Sequence, residues 1–432
     1  MVINNTENSV GIVVLARMGS KRLKNKVLCR INHKYAIDIL LDHVINKEYP
    51  VVIAIPDLEE DNILADIAAS RGIECFRGYT DSPLHRLAYC ADKYGFNYVV
   101  RVTSDDILID TRLMFAQIRF ALRKQHDYVY MIKCPSGIAG EVIKVSTLKT
   151  VIDNIGDKSV EFVSYELKNK YDTKEYMPGF EYQLPARLTL DYEEDLLLLQ
   201  ILYSSMVSPG TLDIINFLEK NRVFMDINKQ PEITYYTCNY NCEPYIVECM
   251  QSIVEQDNFD NCEYIIVDDY STDKSLDKII EFYSSLPLQK QKRIKIVRNE
   301  KNIGLTSTCN KIIDMARGKY IVRVDSDDYI HKDYSTKMLE YIKYYNVSGV
   351  LSGYDRISVD NTVLSTVNML MWHPACALFE RWVVNEIRYR DDVQVNDGKY
   401  FYEDFRKHYK WHFTPEALWK YRQRPGQKTE GK

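Results

Sequence analysis

No stretch of this 432-residue sequence approaches the roughly eighteen consecutive apolar residues that a membrane-spanning helix needs. The opening residues, Met1-Val2-Ile3-Asn4-Asn5-Thr6-Glu7-Asn8, lack the basic segment and apolar run of a secretory signal, so a cytoplasmic protein without a transmembrane segment is expected. An excess of cations is missing too. The net charge of -5 excludes a broad nucleic-acid-binding surface and requires any anionic ligand to be bound locally. Metal-site cysteine spacing is also absent: the ten cysteines are scattered, and Cys238 and Cys242, the closest pair, have no histidine set beside them. They read as reduced packing residues.

No Gly/Ser tract or charge run separates the halves of the chain. The length nevertheless exceeds one ordinary core and fits two domains of about two hundred residues each. Hydrophobic residues at 46% and charged residues at 27% supply the apolar surface for both cores and a soluble exterior. The junction is expected within residues 223–232, giving domains 1–228 and 229–432.

What the sequence does contain is an apolar run ending in carboxylates, Val322-Arg323-Val324-Asp325-Ser326-Asp327-Asp328-Tyr329. Such a run reads as a buried strand whose last turn leaves the sheet edge, where ligands of open α/β sheets bind. Hard carboxylate oxygens there suit Mg²⁺ or Mn²⁺ holding a phosphate; a solvated acidic turn is the alternative. Val100-Arg101-Val102-Thr103-Ser104-Asp105-Asp106 repeats the pattern, and each copy follows the first apolar strand of its half by about ninety residues, as two related units would.

In the first half, Gly11-Ile12-Val13-Val14-Leu15 reads as a buried strand. It runs into Ala16-Arg17-Met18-Gly19-Ser20-Lys21-Arg22-Leu23-Lys24-Asn25-Lys26, a small-residue loop rich in cations. A triphosphate needs this combination: close backbone approach at Gly19, N–H groups facing the ligand, and Arg or Lys against the charge. An ordinary solvated loop would look similar.

These residues, with Lys26-Val27-Leu28, resemble the signature of the sugar cytidylyltransferases, the group containing the CMP-Kdo and CMP-nonulosonate synthetases, and most closely its spore-coat polysaccharide branch. Four later segments are similar in the same order: Val51 to Asp57, Ile73-Glu74-Cys75-Phe76-Arg77-Gly78, Val102 to Asp110, and Arg187-Leu188-Thr189-Leu190-Asp191-Tyr192-Glu193-Glu194-Asp195-Leu196. The resemblance covers residues 9–205. It implies attack by a sugar oxygen on the α-phosphate of CTP with release of pyrophosphate. Arg17 and Lys26 would act on the triphosphate in the transition state, Ala16, Gly19, Ser20, Arg22 and Arg77 would bind the nucleotide, and Asp105 and Asp191 would hold Mg²⁺. The chain departs from the pattern at Ala139, at Phe162, and at Lys24-Asn25 in the loop, which leaves open a different acceptor sugar or a domain that binds nucleotide without turning it over.

In the second half, strand-like Ile233-Thr234-Tyr235-Tyr236-Thr237-Cys238 precedes a turn and an amphipathic helix carrying Ile246, Cys249, Met250 and Ile253 on one face. Tyr264-Ile265-Ile266-Val267-Asp268-Asp269 follows, with Ser271, Thr272 and Asp273 as capping candidates for the next helix, and then the acidic strand. Alternating strands and helices predict a mainly parallel sheet covered on both faces. Residues 411–421 are expected to form an aromatic core helix.

This half resembles the family 2 glycosyltransferases of the GT-A fold. Its segments are similar to that family's "V-D-D-x-S-T-D", "N-x-x-N-x-G" and "D-S-D-D", then to "x-E-D-x" at Tyr402-Glu403-Asp404-Phe405, and to a terminal "Y-R-x-H-x-G" at Tyr421-Arg422-Gln423-Arg424-Pro425-Gly426. The resemblance, over residues 232–428, implies an inverting transfer in which Asp404 takes the acceptor proton. Thr237, Asp269 and Asp325 would contact the nucleotide, and Asp327 a divalent cation. His373 and Trp372 could line the acceptor site or simply pack. The basic tail Arg422, Arg424, Lys428 and Lys432 could touch an anionic lipid carrier as a peripheral membrane contact.

Taken together, the α/β chain is expected to hold two Rossmann-like nucleotide-binding domains of the nucleotide-diphospho-sugar transferase type. A cytidylyltransferase using CTP and a sugar acceptor is joined to a glycosyltransferase using a nucleoside-diphosphate sugar and a glycan acceptor. An Asp-x-Asp site suits a diphosphate leaving group, whereas a CMP-sugar leaves a single phosphate, so the two steps are expected to be separate. Assembly as a homo-oligomer stays open. So do two alternatives: a glycosyltransferase with an inactive nucleotide-binding first domain, and a non-catalytic nucleotide-binding scaffold.

Overall fold

A computed structural model describes residues 9–20, 22–157, 163–168, 171–368, 375, 377–390 and 397–424. Lys21, Phe162, Trp372, His373, Pro425, Gly426, Lys428 and Lys432 lie outside them. The chain divides into two compact units, Met1–Lys229 and Gln230–Lys432.

Among the described residues, the main sheet of the first unit has seven strands, β1 (Val10–Leu15), β2 (Val51–Pro56), β3 (Glu74–Gly78), β4 (Tyr98–Thr103), β5 (Tyr128–Met131), β6 (Glu141–Lys144) and β7 (Thr173–Tyr176), beside a small hairpin of Arg30–Ile31 and Lys34–Tyr35. Their order in the sheet is β3-β2-β1-β4-β6-β5-β7. The four strands from β3 to β4 are mutually parallel, and β6 runs antiparallel to its neighbours. Every residue of β1 is buried because both faces of the sheet are covered. Ile12 and Val14 join one apolar cluster with Val100 and Val102, while Val13 and Leu15 join a second with Leu84, Leu87 and Val99. A continuous apolar run is what a strand sandwiched between helices requires.

Among the described residues, the second unit has nine strands: β8 (Ile233–Asn239), β9 (Cys262–Asp268), β10 (Ile294–Arg298), β11 (Tyr320–Arg323), β12 (Tyr329–Ile330), β13 (Gly349–Ile357), β14 (Val363–Val367), β15 (Ala377–Glu380) and β16 (Trp411–Arg422). They are ordered β10-β9-β8-β11-β15-β13-β16-β12, with β14 pairing to β13. From β10 to β11 all pairings are parallel. The helix Ile246–Val254 buries Ile246, Cys249, Met250 and Ile253, the face its spacing predicts.

Residues 411–421 are not a helix. They form β16, paired to β13 in parallel over nearly its whole length and to β12 in antiparallel. The register shifts around Gly353, opposite Pro415 and Glu416, let the strand carry a residue that cannot donate to the ladder. Pro415 in the middle of the run was the local sign against a helix.

Candidate active sites

In the first unit, β1 ends at the carboxyl edge of the sheet, and the cationic loop continues from it. Its path is set by backbone bonds: Ala16 N–H donates to Ala54 C=O at 3.2 Å and Ser20 N–H to Met18 C=O at 2.7 Å. Met18 N–H donates to Oδ1 of the buried Asp61 at 2.6 Å. Arg17 and Gly19 are exposed and Ser20 half-exposed, leaving the loop accessible. Arg77, at the end of β3, donates to Asn62 Oδ1 at 2.6 Å.

The two acidic segments meet there because the end of β4 captures the later one: Leu190 N–H donates to Asp105 C=O at 2.9 Å. The isolated bridge Ser136 to Arg187 holds the same segment from its other end. Gly137, at φ +94°, makes this approach possible, since a Cβ there would lie 2.6 Å from Leu188 C. The result is a compact charge cluster. Lys26 Nζ lies 3.0 Å from Asp191 Oδ1 and 3.5 Å from Asp105 Oδ2, Arg22 Nη2 is 3.0 Å from Asp191 Oδ1, and Arg187 Nη2 is 2.9 Å from Asp191 Oδ2. Burial opposes the charge on Asp191, but Lys26, Arg22 and Arg187 outweigh it and hold the carboxyl well below its ordinary pKa. Asp195 braces the cluster by accepting from the Asp191 and Tyr192 N–H groups and from Arg187.

Two carboxylates from distant segments converging on one ammonium also converge on one position for a hard cation. Mg²⁺ recruits one or two carboxylates and completes its shell with water and phosphate, so Asp105 and Asp191 fit it.

Sequence reasoning did not single out Arg86 and Asp61. Arg86, on the helix Pro83–Lys93, is 2% exposed and donates to the Tyr79 carbonyl at 2.6 Å. Burial, then the nearby Arg17, lowers its pKa to about 10, and Asp61 partly offsets this. No sequence pattern marks these two, since their proximity to the loop is wholly tertiary. Arg187, by contrast, stands inside the segment that carried the resemblance.

In the second unit the acidic turn follows β11, and each of its carboxylates has a donor from the chain. Arg323 Nε lies 2.7 Å from Asp325 Oδ1, and Arg424 Nε lies 2.7 Å from Asp327 Oδ2. Asp328 accepts from Trp419 Nε1 at 3.0 Å and from Arg422 N–H at 2.9 Å. Burial, then Asp327 and Asp325, pushes the Asp328 carboxyl well above its ordinary pKa. Arg422 is 1% exposed and clips the end of β16 to the turn, donating from Nε to Asp327 C=O at 2.9 Å.

The other expected site residues of this unit are placed as follows. Thr237 is fully buried with Oγ1 2.9 Å from Tyr264 Oη. Asp269 is buried and accepts from Asn299 Nδ2 at 2.8 Å and from the Ile303 and Gly304 N–H groups at 2.9 Å each, which fastens the 299–304 loop. Asp327 is engaged by a guanidinium, and among the described residues no three His, Cys, Asp or Glu side chains gather as a cation set. Asp404 sits on the helix Asp397–His408, beside the buried Tyr402 and Phe405, and accepts from Arg390 at 3.3 Å.

Two α/β units, each with an acidic strand end beside cationic side chains, have the architecture of nucleotide-diphospho-sugar transferases. The chain belongs to the cytidylyltransferase family, whose sequence profile matches residues 11–303, more than half its length. Over residues 235–425 it also matches glycosyl transferase family 2, so both a nucleotidyltransferase and a glycosyltransferase family are detected in the one chain. The two matches overlap on the opening strands of the second unit. An uncharacterised protein of Methanocaldococcus jannaschii is 30% identical over 226 residues, 50% of this chain and 93% of that protein. The spore coat polysaccharide biosynthesis protein SpsF of Bacillus subtilis is 29% identical over 208 residues, 45% of this chain and 87% of that protein. TuaG of Bacillus subtilis, named for glycosyl transfer in teichuronic acid biosynthesis, is 34% identical over 137 residues, 32% of this chain. The chain spans about half of TuaG's length, 52%. Among the described residues no helix is long and apolar enough to cross a membrane.

Proposed function

We propose that the chain is a bifunctional enzyme of surface-polysaccharide biosynthesis. Its first unit transfers CMP from CTP to a sugar, an acidic sugar by its resemblance to the acid-sugar synthetases, and releases pyrophosphate. The observation that carries this reading is the convergence of Lys26, Arg22, Asp105 and Asp191 beside the cationic loop.

In this reading the sugar oxygen attacks the α-phosphorus of CTP, a new P–O bond forms, and the bond to the bridging oxygen breaks so that pyrophosphate departs. Mg²⁺ held by Asp105 and Asp191 would neutralise triphosphate charge. Arg17, Arg22 and Lys26 orient the phosphates and meet the negative charge that grows on the leaving group, with Gly19 and Ser20 offering donors from the loop. Arg77 borders the nucleotide. Arg187 and Asp195 keep Asp191 in place.

The second unit moves a sugar, with inversion, from a nucleoside-diphosphate donor to a glycan or lipid-linked acceptor. Asp404 takes the acceptor proton, and Asp325 lies on the nucleotide side. Its match to glycosyl transferase family 2 supports the reaction class.

Two assays test the proposal: pyrophosphate release from CTP with a panel of acidic sugars, and nucleoside-diphosphate release from UDP-, GDP- and dTDP-sugars. Activity in both is expected. Glycosyl transfer without pyrophosphate release would leave the first unit as a nucleotide-binding domain, the reading that Ala139 favours. Silence in both would make the chain a nucleotide-binding scaffold.

A further inference from the structure

We infer that Arg424, in place of a divalent cation, supplies the positive charge that stabilises the departing diphosphate in the second unit. The inference rests on reading that unit as a glycosyltransferase.

The acidic turn is compensated from within the chain. Asp325 and Asp327 are each paired with an arginine at 2.7 Å, and Asp328 is bonded to Trp419 and to the Arg422 backbone. A metal ion held on Asp325 Oδ1 or Asp327 Oδ2 would compete with the guanidinium that already neutralises that carboxylate. One of the arginines, Arg323, is only 5% exposed, and pulling Asp325 away from a buried guanidinium would be costly.

Residue 424 sharpens the case. The end of β16 resembles the segment "Y-R-x-H-x-G", and Arg424 stands at the histidine of that pattern. A neutral imidazole can lend a lone pair to a metal, whereas a guanidinium is donor-only and stays protonated. The exchange removes a candidate ligand and adds a permanent cation beside Asp327. With Arg422 pinned to the Asp327 carbonyl, the strand end that carries Arg424 is anchored two residues away. The Arg424 side chain is about one-third exposed, at 34%, so a ligand can reach it, and its fork matches phosphate oxygens.

As the acceptor oxygen bonds to the anomeric carbon, the bond from that carbon to the phosphate oxygen breaks and its electron pair leaves with the nucleoside diphosphate. The acceptor proton goes to the base. Arg424 faces the charge developing on the phosphate, and Asp327 orients the guanidinium.

The test is binding of UDP, of GDP and of dTDP to the full chain by calorimetry, in EDTA and in millimolar Mn²⁺, for wild type, Arg424→Ala, Arg424→Lys and Arg424→His. Wild type should bind one nucleotide in EDTA within about threefold of its affinity in Mn²⁺. Arg424→Ala should weaken that metal-free binding at least about tenfold, Arg424→Lys should retain most of it, and Arg424→His should become dependent on Mn²⁺. Wild-type binding that disappears in EDTA and returns with Mn²⁺, or binding untouched by Arg424→Ala, would overturn the inference while sparing the glycosyltransferase reading. Absence of UDP, GDP and dTDP binding under both conditions would remove that reading and the inference with it.

Discussion

The ammonium of Lys26 lies 3.0 Å from Asp191 Oδ1, joining residues 165 positions apart in the chain. Lys26 comes from the loop after the first strand, and Asp191 from a segment held against the end of β4. In the proposed reaction an incoming triphosphate would give Lys26 a second anionic partner, and a cation held by Asp105 and Asp191 would replace it on the carboxylates. Asp105→Ala is therefore expected to abolish pyrophosphate release from CTP, and Lys26→Ala to lower its kcat by about 10²–10³. A continuous pyrophosphate assay reads both, and equal rates in wild type and Asp105→Ala would refute the assignment.

The approach of residues 136–138 to 187–189 depends on a backbone that only glycine adopts cheaply at position 137, where φ is +94° and the added Cβ would press on Leu188 and Thr189 backbone atoms. Gly137→Ala should destabilise the first unit by about 2 kcal/mol or more. It should also weaken CTP binding, because the segment carrying Asp191 is displaced. Thermal melting with and without CTP measures the two effects together.

Asp404 is bound to the second unit through the helix that buries Phe401, Tyr402 and Phe405, so its replacement should leave the fold intact. Asp404→Asn is expected to keep donor binding within about threefold while transfer falls by about 10²–10⁴. Normal turnover of a nucleoside-diphosphate sugar by this variant would remove Asp404 from the mechanism.

The pair between Lys420 on β16 and Asp355 on β13 ties the two longest strands of the second sheet together. Burial disfavours the Asp355 charge, yet hydrogen bonds from Lys420 and Thr366 lower its pKa below the ordinary value of 3.8. A carboxylate depressed in the folded state adds stability that is complete above the unfolded pKa and is lost as the pH falls through the folded one. Asp355→Asn should therefore cost about 1 kcal/mol near pH 7 and progressively less below pH 4. Denaturant unfolding of wild type and variant at both pH values checks the convergence.

Much of the fold was legible because its central strands are unbroken apolar runs. Gly11 to Leu15 and Tyr264 to Asp268 could only be buried on both faces, and each ends at the sheet edge where its charged residues begin. Residues 411–421 were misread because their aromatics do not alternate strictly. What makes them a strand is pairing with β13 and β12, partners that no local pattern announces. The resemblance places Asp269 at the nucleotide, and no local pattern announces that its two oxygens also fasten a loop thirty or more residues ahead.

By itself, the sequence determined that this protein has two α/β units, each with carboxylates at a strand end, since periodicity and strand-end composition are local properties. Only the tertiary structure decided what neutralises those carboxylates. In the first unit Asp105 and Asp191 share one lysine, with Arg22 and Arg187 also on Asp191, while in the second Asp325 and Asp327 each meet a separate arginine. Charge pairing is settled by distances across the fold, and Asp327 and Arg424 reach 2.7 Å only because β16 returns to the turn that follows β11.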